Sequence, residues 1–452
     1  MKKTFTNLKF HCIIALEREC GRVAWVHMPK FKERTPGKAG VRAGQSTRWL
    51  RSRPGAKRRR GRAFAVVAAA CLLTACAVLI GVKALRDGGR DPGTNAVDET
   101  TAREETIPVA KLPSVKVRGL YVTAWSAGIA ERMAHYIELC DTTEINALVI
   151  DVKDDRGQIT FLNSIEGASK ASSNIIPDIE KTLLLLKEHG IYTIARLVCF
   201  KDPLWSSLNA GLAIRSTRGA TWKDAGGVAW LDPYNRASWE YIAAVAKEAA
   251  RAGFDEVQLD YVRFPTGGKL KEIDFGSAGA EKTKAEAITE FLQYMRAALA
   301  GTDIWLSADI FGITAVNSGD FEAIGQDLEI LIQNADFICP MLYPSHFANK
   351  RQNGAGQFIN EVLFEAPDTR PYDVIYNSLL MVKRRLPGEG EHAGIRPYLQ
   401  DFTASYLGEG YYQTYAAQQV REQIRAVYDA GFDEWILWNA SGVYSEDAFS
   451  RE

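Results

Sequence analysis

The chain has 452 residues, 46% of them hydrophobic and 10% aromatic, which is room for two or three domains and excludes a mainly disordered polymer. Basic and acidic residues balance at 55 each, and a formal net charge of zero argues against a nucleic-acid binder. The balance is not local. Residues 1–62 carry 18 Lys and Arg against Glu17, Glu19 and Glu33, so the rest of the chain is net acidic.

The basic tail ends in Arg58-Arg59-Arg60-Gly61-Arg62, and residues 63–82 then carry no charge before Lys83. Twenty apolar residues in a helix span about 30 Å, the thickness of a bilayer's hydrocarbon. The basic flank predicts a cytoplasmic tail 1–62, a transmembrane or signal-anchor helix 63–82, and an extracytoplasmic remainder at the cell membrane. The alternatives are a secreted or lipid-anchored protein after signal cleavage, because Leu73-Thr74-Ala75-Cys76 resembles a lipobox. Against both, the run stays apolar through Ala77-Val78-Leu79-Ile80. Met28 is an alternative initiator. Residues 83–115, with Gly88-Gly89, Pro92-Gly93, Asp98-Glu99 and Glu104-Glu105, predict a disordered linker. Of the seven cysteines only Cys140, Cys199 and Cys339 fall beyond it, without CxxC spacing, which predicts buried free thiols.

Residues 116–452 repeat one rhythm. Short β-branched or apolar runs at 117–123, 147–151, 192–199, 256–260, 305–309, 337–342, 395–400 and 434–438 alternate with amphipathic stretches. The latter lie at 129–143, 175–189, 236–252, 281–300, 321–334, 373–386 and 414–430. Apolar runs between helices read as parallel strands covered on both faces. Eight of them predict an α/β fold, a (β/α)8 TIM barrel, with an open doubly wound sheet as the alternative. Ala252-Gly253-Phe254-Asp255-Glu256 recurs as Ala430-Gly431-Phe432-Asp433-Glu434, at strands four and eight, as two half-barrels would give. Each copy carries a Gly where a helix ends in a left-handed residue.

Chemistry in a barrel sits at the C-terminal strand ends, and polar residues cluster there and are sparse in the strand middles. The runs VRGLYVTAW, NALVIDVKDDRG, IARLVCFKD, GFDEVQLDYVRFP, LSADIFG, ICPMLYPSHF, RPYLQDF and WILWNASGVY occur in order. Over about 117–445 they resemble a bacterial family of TIM-barrel domains described as "putative glycoside hydrolase". The resemblance implies a barrel acting on carbohydrate, with Asp260 and Asp309 as its acidic pair.

Strand parity supports that pair independently. If Leu259, Ala308 and Ile310 face the helices, Asp260 and Asp309 face the barrel mouth on adjacent strands. Glycoside hydrolysis needs two such carboxyls, one protonated to help the leaving oxygen and one ionised to attack or to activate water. Arg263 would favour an ionised Asp260, and the apolar neighbours of Asp309 would suit the acid. The bland alternative is that Asp260 pairs with Arg263 or Arg196 and orders the barrel rim.

Further substrate-binding candidates are Asp151 with Lys153 as an ion pair, Arg196, Arg263, Tyr343, His346, Gln400, Trp438 and Asn439. Trp205, Trp222 and Trp230 in the loop after strand three are either a stacking platform for sugar rings or a cap on the barrel end. Few histidines and no HxH or GxxxxGK[ST] pattern predict no metal and no cofactor. Two functions fit: a glycoside hydrolase acting on extracellular or cell-envelope polysaccharide, or a non-catalytic glycan-binding or envelope-scaffold protein on the same barrel.

Overall fold

The computed structural model describes residues 114–450, apart from 389 and 391. The predicted tail, the 63–82 span and nearly all of the linker lie outside the described residues. Among the described residues no helix is long and apolar enough to cross a membrane.

Eight parallel strands close on themselves: β1 (Arg118–Val122), β2 (Ala147–Lys153), β3 (Tyr192–Val198), β4 (Glu256–Asp260), β5 (Trp305–Phe311), β6 (Phe337–Met341), β7 (Tyr398–Gln400) and β8 (Trp435–Trp438). Each pairs with its neighbours in sequence, and β8 returns to β1 through Arg118↔Trp435, Gly119↔Ile436 and Leu120↔Leu437. The fold is therefore a closed barrel rather than an open sheet. Pro397, which has no N–H to give a ladder, splits the seventh strand, and Gly394–Ile395 pairs with β6 before the chain resumes as β7. Helices α1 (Ala130–Thr142), α2 (Ile179–Glu188), α3 (Arg236–Ala252), α4 (Lys284–Ala298), α5 (Leu328–Leu331), α6 (Pro371–Arg385) and α7 (Ala417–Asp429) connect the strands.

The expected helix over 321–334 shrinks to the single turn α5. Asp320 accepts from the backbone N–H groups of Ile324 and Gly325 and so holds this stretch as a loop. Gly325 has φ +88°, and a Cβ there would sit 2.8 Å from the Lys284 carbonyl. The loop closes on α4 only because that Cβ is missing.

The repeated pentapeptides behave as the spacing predicts. Gly253 (φ +106°) and Gly431 (φ +86°) follow the ends of α3 and α7 in the left-handed region, and β4 and β8 follow at once. Their terminal glutamates then meet inside the barrel. Arg396 donates to both carboxylate oxygens of Glu256 at 2.9 Å and to Glu434 at 2.9 Å. Tyr192 also donates to Glu256, and the Val117 N–H to Glu434.

Above this layer Tyr398 donates to Gln258 at 2.6 Å, and Gln258 donates to Cys339 Sγ. The strand middles are thus more polar than the sequence suggests, because Glu256, Gln258 and Asp260 all point inward from β4 while Val257 and Leu259 pack on the helices. Val149, Ile194, Cys339 and Ile436 supply the apolar part of the lumen.

Candidate active site

The third and uppermost layer is built by one inward residue from each of five consecutive strands. Tyr121 comes from β1, Asp151 from β2, Arg196 from β3, Asp260 from β4 and Asp309 from β5. Arg196 is the hub. Its Nη1 donates to Asp151 Oδ1 at 2.6 Å, while Nε and Nη2 both donate to Asp260 Oδ2 at 3.0 and 2.5 Å. Tyr121 donates to Asp151 Oδ2 at 2.6 Å, and the Tyr261 N–H donates to Asp260 Oδ1 at 2.6 Å. Tyr261 adopts φ +50°, a strained conformation for a non-glycine residue, at the position that aims this N–H.

Asp309 is different. The registers Leu259↔Ala308 and Asp309↔Cys339 place it beside Asp260 with its side chain in the lumen. It is 2% exposed, and its Oδ1 has no hydrogen-bond partner. Burial, and next the negative charge of Asp260, push its carboxyl well above the ordinary carboxylate range. Asp151 is pushed up to about 6 by burial, against the opposing pull of Arg196. The mouth thus holds one carboxylate clamped by a guanidinium next to one carboxyl that favours its proton.

Around this layer lie aromatic rings. Trp438 sits 6.2 Å from Tyr121, 5.7 Å from Tyr343 and 5.3 Å from Phe402, centroid to centroid. Tyr343 is buried, and Trp438 keeps part of its indole exposed. His346 packs edge-on against Tyr343 at 4.8 Å, and burial pushes its imidazole down to about 4, so it is neutral at physiological pH.

A family model described as "Putative glycosyl hydrolase domain" matches residues 119–444. The chain belongs to that family. Among solved structures it is similar to a hypothetical protein from Ruminiclostridium thermocellum, at 44% identity over 42% of this chain and 96% of that one, with a TM-score of 0.39. The PgaB (BpsB) glycoside hydrolase domain from Bordetella bronchiseptica matches at 14% identity over 74% of this chain and 99% of that one. Its TM-score of 0.53 is a likeness of fold. No curated protein matches the sequence.

Against the family's barrel, several residues singled out from the sequence go elsewhere. Lys153 does not pair with Asp151. The turn Asp154–Gly157 folds back so that Ile159 bridges to Lys153 and the Thr160 hydroxyl donates to the Asp151 carbonyl, and β2 bulges between Asp151 and Lys153. The bulge turns Lys153 out of the lumen. There it is fully buried, 2.8 Å from Asp202 and 5.7 Å from the Tyr241 ring of α3. Gly157 permits this, since a Cβ would lie 1.9 Å from Asp202 Oδ1.

Arg263 does not pair with Asp260 either. Its guanidinium lies over the rings of Phe311, Trp230 and Tyr261 at 4.4–5.1 Å, and Arg196 takes its place as the cation on Asp260. Gln400 is fully buried and spends its amide on Ser345 N–H, Asp368 and the Phe402 carbonyl. Asn439 braces Asp401 and Val443 carbonyls in the β8 loop. Both bonding sets serve the scaffold, Gln400 in the interior and Asn439 in a partly exposed loop.

The three indoles of the β3 loop are buried. Trp205 stacks on Tyr241 at 4.0 Å, Trp222 donates to the Lys269 carbonyl, and Trp230 donates to Asp224. With their ring faces covered they offer no exposed platform.

Sequence reasoning missed Tyr121, Tyr261, Lys201 and Phe402. Lys201 donates to the Tyr261 hydroxyl at 3.0 Å and stands over its ring. Parity along β1 would have found Tyr121, two residues beyond Gly119, but in the run GLYV an aromatic reads first as core.

Proposed function

We propose that this protein is a glycoside hydrolase acting on extracellular or cell-envelope polysaccharide through two carboxyl groups, Asp309 and Asp260. The observation that carries the reading is the unlike pair at the barrel mouth. The Asp309 carboxyl is buried, in no direct ion pair among the described residues, and is pushed well above the ordinary carboxylate range by burial, while the neighbouring Asp260 is fixed by Arg196 and the Tyr261 N–H. A carboxyl raised by burial beside one paired with a guanidinium is the kind of unlike pair that acid and base roles require. Asp309 donates its proton to the departing glycosidic oxygen, and Asp260 attacks the anomeric carbon or activates the water that does so. The partly exposed rings of Trp438 and Phe402, backed by Tyr343 and the neutral His346, offer an aromatic wall against which a sugar face packs. The uncharged run at 63–82 with its basic flank supports anchoring of the barrel outside the cell membrane.

The test is release of reducing ends from a panel of envelope polysaccharides by the full-length protein and by Asp260→Asn and Asp309→Asn. Both substitutions keep shape and remove the ionisable group. Turnover by the wild type, lost in each variant with retained glycan binding, supports the hydrolase. Binding without turnover in the wild type would favour a non-catalytic glycan-binding barrel instead.

A further inference from the structure

We infer that Asp151 and Tyr121 are positioning residues, which act through Arg196 to hold the Asp260 carboxylate in one orientation and never touch the substrate. The inference rests on the two-carboxyl reading above and assigns a role to the second acid that the sequence alone places at the sugar.

Both oxygens of Asp151 are held by donors of the barrel itself. Oδ1 accepts from Arg196 Nη1 at 2.6 Å and Oδ2 accepts from the Tyr121 hydroxyl at 2.6 Å. The residue is 5% exposed. What separates Asp151 from Asp260 is its place in the line, two strands further from Asp309 and linked to Asp260 only through Arg196. Its effect passes on through the guanidinium, which is planar and rigid. Fixing Nη1 on Asp151 fixes the edge that carries Nε and Nη2, and that edge grips Asp260 Oδ2.

Without Asp151 the side chain of Arg196 would pivot about Asp260 and retain Coulomb attraction but lose direction. The ring of Tyr121 limits this pivot further, since the guanidinium carbon stands 5.6 Å from its centroid. Tyr121, Asp151, Arg196 and Asp260 thus form a line across β1, β2, β3 and β4, and each strand contributes one link.

The line has a built-in pH response. The groups facing Asp151 are Tyr121 from β1, Arg196 from β3 and Asp155 from the turn after β2, which also approaches Arg196 Nη2 at 3.6 Å. Tyr121 stays protonated, because burial and then Asp151 push its hydroxyl well up. Arg196 stays charged. Asp151 is the member that changes, and as pH falls through about 6 its protonation withdraws the anchor from Nη1.

The experiment reads the guanidinium directly. In the full-length protein, ¹⁵N-arginine labelling with Arg196→Lys for assignment gives the exchange rate of the Arg196 Nε–H, a bond donated to Asp260. Asp151→Asn should speed that exchange at least ~10-fold, the scale on which a loosened hydrogen bond opens. It should also lower kcat about 10-fold or more with KM within about twofold, as misplacement of a reacting group does. Tyr121→Phe keeps the ring, removes only the hydroxyl, and should move both readings the same way by less. It also stands in if Asp151→Asn fails to fold. In the wild type, exchange corrected for its intrinsic pH dependence should quicken between about pH 6.5 and 5.

Unchanged Arg196 exchange in both variants would overturn the positioning role whatever the kinetics. A large rise in KM with kcat intact would overturn it in favour of direct sugar contact. Faster exchange in a protein that hydrolyses no glycan leaves the positioning role standing and removes the hydrolase reading, so the two failures are distinguishable.

Discussion

The two ends of the barrel lumen are built to one plan and put to opposite use. At the bottom Arg396 lies between Glu256 and Glu434; at the top Arg196 lies between Asp151 and Asp260. The bottom set is sealed and its surplus negative charge is met by Tyr192, the Val117 N–H and Lys116 at the rim. The top set has a third acid, Asp309, which no arginine among the described residues bonds directly and whose Oδ1 has no hydrogen-bond partner. One arginine between two carboxylates makes a strut. Adding one more buried carboxyl, at the strand ends where barrels place their chemistry, makes a layer in which burial works against ionisation.

The comparison breaks hardest at the bottom. Arg396→Met should destabilise the fold by roughly 3–5 kcal/mol, because it strands two buried glutamates, and a denaturant melt would show it. Lys153→Met, which strands Asp202, belongs to the same class, although the sequence suggests a substrate ligand there. A melt within 1 °C of the wild type for either would show that these pairs do not hold the barrel.

At the top the effect should fall on rate instead. Asp260→Asn and Asp309→Asn should each lower turnover at least ~100-fold, the range expected for loss of acid–base or nucleophilic help. Asp309→Asn should melt no lower than the wild type, since an amide at this site requires neither a buried charge nor a proton taken up on folding. Unfolding of either variant would make the top another strut.

Trp438→Ala should cost about 1 kcal/mol of binding, seen as a KM raised several-fold with kcat nearly kept, if the indole carries a sugar ring. The smallest effect is a slope. Asp151 has a folded-state pKa of about 6 against an ordinary value of 3.8, so it binds its proton more tightly when folded. That contribution is full below about pH 4 and lost as pH rises through about 6. The melting temperature of the wild type minus that of Asp151→Asn should therefore fall across this window and level off above it. A difference that rises with pH would mean that folding lowers the Asp151 pKa instead of raising it.

Much of the barrel is legible in the sequence because parallel strands covered on both faces leave apolar runs that little else produces. The recurring Ala-Gly-Phe-Asp-Glu even marks which strands are equivalent. Parity of two also suffices to turn Asp260 and Asp309 to one side. It fails where the period breaks. The bulge after Asp151 sends Lys153 to the opposite face, and nothing in VIDVKDD announces it except the Asp154–Gly157 turn that causes it. Proximity in sequence misleads in the same way. Arg263 is three residues from Asp260, yet the cation that reaches Asp260 comes from the neighbouring strand, where Cα atoms lie about 4.8 Å apart. The indoles of the β3 loop show a third limit, since composition cannot tell a Trp that greets solvent from one that excludes it.

The bulge in β2 has an evolutionary side. Lys153 belongs to the scaffold and not to the mouth because the chain between Asp151 and Ile159 has one particular length. Shortening the turn by a residue, with no change of side-chain identity, would straighten the strand and swing an amine into the lumen within reach of the acids. Relatives that differ in loop length here should therefore differ in chemistry even where every acid is retained. In this barrel, a deletion is the more direct route to a new activity than a substitution.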